Sequence, residues 1–111
     1  MPYGGPLPRA ILTVSALTAL LRTHIESVFS DVWVEGEVSN LRVPSSGHAY
    51  FTLKDQASQI RAVLFRSVGQ ALRFALKDGM RLVCRGRVTV YEPRGDYQVV
   101  VEYAEPKGIG A

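Results

Sequence analysis

A chain of 111 residues, 47% hydrophobic and 21% charged, is long enough for one domain with a buried core, and those proportions exclude intrinsic disorder. Its single cysteine, Cys84, excludes an internal disulfide and points to a reducing compartment, the cytoplasm. The net charge of +3 is a mild excess, and no apolar run reaches the roughly 20 residues that span a bilayer.

Pro2, Pro6 and Pro8 with Gly4 and Gly5 make residues 1–11 a flexible lead-in. Arg9 and the fairly apolar run Ala10–Leu21 imitate a targeting signal, but Thr13, Ser15 and Thr18 interrupt the run and no small-residue cleavage site follows. It reads instead as an amphipathic helix capped by Thr13 or Ser15. Leu17, Leu20, Leu21, Ile25 and Val28 form one stripe, which predicts a helix to about Phe29 packed against one side of the domain. Extended chain follows, with Val32, Val34, Gly36 and Val38 alternating with Trp33, Glu35, Glu37 and Ser39. Gly36 inside this strand predicts a bulge or bend. A loop marked by Pro44, Ser45, Ser46 and Gly47 leads to a second strand, His48–Asp55. Its Ala49, Phe51 and Leu53 face a core, while His48, Tyr50, Thr52 and Lys54 face out. The third strand, Gln59–Phe65, turns Ile60, Ala62 and Leu64 inward and Arg61, Val63 and Phe65 outward. From Arg66 to Lys77 the spacing of Val68, Leu72 and Leu76, with Ala71 and Ala75, predicts a short helix ended by Asp78-Gly79. The fourth strand, Met80–Tyr91, has Leu82, Cys84, Gly86, Val88 and Val90 on one side and Arg81, Arg85 and Arg87 on the other, with a second bend at Gly86. Glu92–Asp96 is a hairpin turn. The fifth strand, Tyr97–Tyr103, places Tyr97, Val99, Val101 and Tyr103 on one core-side face before Pro106, Gly108 and Gly110 break the pattern.

Helix, three strands, helix, two strands is the order of a five-stranded OB-fold, a Greek-key β-barrel, here preceded by an N-terminal helix and with a short helix between strands 3 and 4. Such barrels bind oligonucleotides across strands 2–3 and the loops between strands 1–2 and 4–5. Those loops are Arg42–Gly47 and Glu92–Asp96, and each carries an arginine. The charge agrees: ten cations and three carboxylates lie between Arg42 and Arg94, so the middle of the chain holds +7 of charge and the remainder −4. Arginines outnumber lysines ten to three, which suits bidentate phosphate contacts and stacking on bases. Tyr50 and Phe65 are the stacking candidates, and Arg42, Lys54, Arg61 and Arg94 the phosphate partners. His48 either donates to a phosphate or base edge or closes its loop through Ser46. Trp33 is a rim aromatic on the first helix or a further stacking ring. Arg85 and Arg87 lie off the usual face and meet either DNA or another part of a larger protein.

Catalytic readings fare poorly. His24 and His48 with one cysteine make no zinc set. Glu35 and Glu37 share a strand face and read as an exposed or salt-bridged pair. Ser45, Ser46 and His48 have no orienting acid or oxyanion loop, and no phosphate-binding Gly-Lys-Ser/Thr loop occurs. No metal or cofactor is expected.

The runs SNLRVPSSGHAYFTLKD, IRAVLFR, VCRGRVTVYEPRGDYQVVV and EPKGIG, in a match that takes in the leading helix and spans Leu12 to Gly110, resemble the N-terminal domain of the exodeoxyribonuclease VII large subunit. SSGHAYFTLKD and YEPRGDYQ are the most specific; GHxYFxLKD alone also suits OB domains that bind tRNA anticodons. The resemblance implies an OB-fold over residues 12–106 that binds single-stranded DNA and feeds it to a nuclease region of the same chain. It also implies a small helical subunit as partner, with residues 107–111 the boundary to the catalytic region, so that no catalytic residue falls in this chain. Two other readings stand beside it: an RNA-binding module of the anticodon type, and an assembly module in which Arg85 and Arg87 hold neighbouring parts and DNA contact is incidental.

Overall fold

A computed structural model describes residues 9–108 as a closed five-stranded barrel with one long and one short helix. The strands are β1 (Val32–Arg42), β2 (Ala49–Lys54), β3 (Gln59–Leu64), β4 (Arg81–Tyr91) and β5 (Asp96–Pro106); helix α1 (Val14–Val28) precedes them and α2 (Arg66–Ala71) joins β3 to β4. Around the barrel the order is β1-β2-β3-β5-β4, closed by β1 on β4, with β3–β5 the one parallel pair. This is the expected OB-fold. The expected lead-in lies mostly outside the described residues.

Alternation puts Val38, Phe51, Leu53, Leu64, Leu82, Val99 and Val101 in one core with Cys84. Burial pushes the Cys84 thiol up to about 12, so the thiolate is scarce at neutral pH. Cys84 in the native domain is therefore expected to ignore a thiol reagent at pH 8 and to react fully once urea unfolds the chain. Rapid native-state labelling would show the barrel opening locally.

Two bends close the barrel. Gly36 is buried where β1 passes from pairing with β4 to pairing with β2, and a Cβ there would sit 3.0 Å from the Lys54 carbonyl oxygen. Gly36 lies in regular register rather than at a bulge. At Gly86 the β4–β5 register slips, from Arg85 opposite Tyr103 to Gly86 opposite Val101. That slip turns Tyr103 out of the core, where simple alternation had placed it; Tyr103 is 46% exposed.

Two helical expectations change. Helix α1 begins as predicted, with the Thr13 hydroxyl accepting from the Ala16 N–H at 3.0 Å. However, it buries no residue, and Leu17, Leu20, Leu21 and Val28 stay about half exposed. Polar contacts tie it to β4 and the turn beyond: Thr89 of β4 donates to Glu26, and Arg22, bonded within the helix to Glu26 (3.0 Å), also donates to Glu92 of the turn (2.7 Å). The Thr89 bond, then the Arg22 bond, hold the Glu26 carboxyl below its usual range. Helix α2 ends at Ala71 rather than Lys77, and Leu72, Phe74 and Leu76 pack against the core from an irregular segment bent at Arg73–Phe74.

Candidate nucleic-acid interface

The outer face of β2, β3 and β5 carries cross-strand rows fixed by register. Arg42 stands opposite Tyr50, Tyr50 opposite Val63, and Val63 opposite Val100. The neighbouring row runs Thr52–Arg61–Gln98. The Arg42–Tyr50 pairing depends on one extra residue in β1. Between Ser39 and Arg42 the register slips at a bulge, and Asn40 takes φ 54°, a left-handed conformation that asparagine tolerates. The Leu41 N–H near the bulge is satisfied by the Asp78 carboxylate at 3.0 Å. The result is a guanidinium 5.0 Å above the centre of the Tyr50 ring.

Arg42, Tyr50 and Arg61 line one open cleft of about 660 Å³, together with Asn40, Thr52, Gln59, Asp96, Tyr97 and Gln98. Arg94 reaches the same rim from the β4–β5 turn: its Nε lies 3.8 Å from Asp96, whose carboxylate is also 3.7 Å from Arg61. Two cations are thus drawn together by one acid, at exposed positions where such pairs are weak.

The structure places the other candidates elsewhere. Lys54, at the far end of β2, lines a separate cleft with Glu37, Asp55 and Arg81. His48 precedes β2, and its Nδ1 accepts from the Arg66 N–H at 2.9 Å while its ring meets Phe65 edge-on at 5.1 Å. Phe65 caps α2 rather than continuing β3, and neither ring lines the cleft. Ser46 accepts from the His48 backbone N–H at 3.3 Å, closing the loop between β1 and β2. Trp33 does not pack on α1 as a rim aromatic; it lies on the far side of the barrel against Tyr103 and Arg85. Arg85 makes two 2.8 Å bonds to Asp31, and Arg87 lies 3.6 Å from Glu102.

Sequence reasoning passed over Asn40, Asp96, Tyr97 and Gln98. Tyr97 has core-side parity, but the first β3–β5 pair is Arg61–Gln98, so it stands beyond the barrel and is 56% exposed at the cleft. The Pro-Arg-Gly-Asp turn directly before it was the available signal, because a hairpin tip outruns its sheet. Among the described residues no group of His, Cys, Asp and Glu could hold a metal ion, and no helix is long and apolar enough to cross a membrane.

Comparison with known proteins agrees with this fold. The OB-fold nucleic acid binding domain family matches residues 12–105. Exodeoxyribonuclease 7 large subunits of Geobacter metallireducens and Geobacter sulfurreducens are 62% and 63% identical over 103 residues, covering 93% of this chain and 23% of theirs. That of Pseudomonas savastanoi pv. phaseolicola is 52% identical over 105 residues. The chain therefore spans about a quarter of the length of these curated relatives. Among solved structures, asparaginyl-tRNA synthetase from Pyrococcus horikoshii superposes with a TM-score of 0.58 at 20% identity, covering 71% of this chain and 20% of that one. The S. pombe Stn1–Ten1 complex gives 0.58 at 12%, covering 71% and 59%. At those identities the likeness is one of fold. Barrel order, bulged β1 and sequence identity converge: the chain belongs to the family of OB-fold nucleic acid binding domains, in the form that opens exodeoxyribonuclease VII large subunits.

Proposed function

We propose that this domain captures single-stranded DNA and hands it to the nuclease region of an exodeoxyribonuclease VII large subunit, which hydrolyses it to oligonucleotides in the cytoplasm. The cutting belongs to that region, and the small helical subunit to the assembled parent; this domain binds. The observation that carries the reading is the Arg42–Tyr50 stack opening on the same cleft as Arg61, with Arg94 at its rim. A ring presents a face to any base, and the guanidinium groups lie where a backbone would pass. Stacking on a ring and pairing with a backbone carry no base code, so little sequence preference is expected.

The test is anisotropy of a labelled oligo-dT titrated with the domain at several salt concentrations. Three to five phosphate contacts correspond to a slope of log affinity on log salt of about −2 to −3.5. Absence of binding at low salt overturns the reading. An RNA oligonucleotide of matched sequence bound more tightly than the DNA would instead favour an anticodon-type module, because only RNA offers the 2′-hydroxyl.

A further inference from the structure

The side of the barrel turned away from the cleft carries an aromatic row of its own. Trp33 on β1 stands opposite Arg85 on β4, and Arg85 opposite Tyr103 on β5. The Trp33 and Tyr103 rings meet edge-on at 5.9 Å, and the Arg85 guanidinium lies 5.6 Å from the Trp33 ring centre, pinned there by Asp31. Trp33 is 57% exposed although it is the chain's one tryptophan. Tryptophan, tyrosine and arginine held in one rigid row are the residue types that dominate protein–protein interfaces.

We propose that this face of β1, β4 and β5 is the docking surface for the polypeptide that follows this domain in exodeoxyribonuclease VII large subunits. The surface is wrong for nucleic acid. Arg85 is bonded to Asp31, Arg87 lies beside Glu102, and Lys107 donates to Glu35 at 2.7 and 2.8 Å. With its cations matched by carboxylates, the face offers a phosphate backbone no net attraction. A protein surface that covers the two rings and leaves those pairs intact is a better fit.

The path of the chain selects the occupant. After Tyr103, β5 runs to Pro106 along this same face, and the Lys107 side chain is clamped to Glu35 while its N–H donates to the Arg81 carbonyl at 3.0 Å. Glu35 and Trp33 are on the same side of β1, two residues and so about 7 Å apart. The described chain therefore leaves the barrel beside the aromatic row, and about three-quarters of the relatives' length lies outside the matched part, which is 23%. A patch of a few side chains is smaller than the ~800 Å² per partner typical of stable association between separate molecules. A unit tethered at the patch works at an effective concentration of order millimolar, so a small contact suffices. The inference rests on the kinship with the large subunit and is independent of DNA binding.

The test uses fluorine NMR of fluorotryptophan-labelled protein, as the 111-residue chain and as the full-length large subunit, with Trp33→Phe in each to identify the Trp33 signal. In the short chain Trp33, about half exposed, is expected to show a substantial solvent isotope shift between H₂O and D₂O. In the full-length protein that shift is expected to fall by at least half and to stay low on dilution. An equal shift in both overturns the proposal. So does protection that dilution removes, because the occupant is then a second molecule. Saturating oligo-dT should leave Trp33 emission of the short chain unchanged; quenching would give the row to DNA and overturn it too.

Discussion

Gly86→Ala is expected to lower the stability of this domain by at least about 3 kcal/mol, the range reached when a substitution forces backbone apart rather than removing a contact. A Cβ built at Gly86 would lie 2.1 Å from the Val100 carbonyl oxygen, 2.9 Å from its carbonyl carbon and 3.1 Å from the Val101 Cα. All three atoms belong to β5 backbone, so no rotamer change relieves the overlap. Gly86 also sits at the register slip between β4 and β5 and opposite Val32 of β1, where one strand is held from both sides. Separating β4 from β5 there opens the closed barrel and exposes the core around Val99 and Val101. A urea midpoint measured by tyrosine and tryptophan emission reports the loss. Gly79→Ala is the contrasting control: φ is +90° but nothing lies within 4 Å, so only backbone strain of about 1–2 kcal/mol applies. Equal midpoints for the two variants would show that β5 can yield at Gly86 and that the close approach does not hold the barrel.

The same comparison shows what the sequence could convey. Strand alternation was legible because the barrel has one inside: Ala49, Phe51 and Leu53 fall on it, and so do Leu82 and Cys84. The helix after β3 was misjudged in length because Leu72 and Leu76 satisfy both a four-residue and a two-residue period. Phe74, which suits only the second, also packs against the core, and the chain there is irregular rather than helical. Alternation groups Tyr103 with Val99 and Val101, but the Gly86 slip adds a residue to β5 and reverses parity beyond it, and a single sequence marks the bend without marking which strand takes the extra residue. The leucines of α1 predicted a covered helix, since amphipathic spacing reports that a face is to be buried and not against what. In the cleft, Arg42, Tyr50 and Arg61 could be named because parity and loop position are local properties. The diversion of His48 and Phe65 to each other could not, because it depends on where α2 starts.

If the cleft binds single-stranded DNA, Tyr50→Ala should weaken oligo-dT binding roughly ten- to hundredfold, the value of one base–ring stack at about 1–3 kcal/mol. Tyr50→Phe keeps the ring under Arg42 and should stay close to the parent. Arg61→Glu replaces a cation in the cleft by an anion next to Asp96 and should cause a comparable loss, with a flatter dependence of affinity on salt because fewer counterions are released. Asp96→Asn should act in the opposite direction. In the free domain its carboxylate occupies the space between Arg61 and Arg94, at 3.7 and 3.8 Å, that a phosphate would fill, and removing the charge leaves both guanidinium groups to the DNA. Circular dichroism and the urea midpoint of each variant separate lost binding from lost folding. Opposite signs at Arg61 and Asp96 in a folded barrel locate the backbone path at their junction. Unchanged affinity in Tyr50→Ala, Arg61→Glu and Asp96→Asn alike would take the cleft out of DNA binding, whatever the affinity of the parent domain.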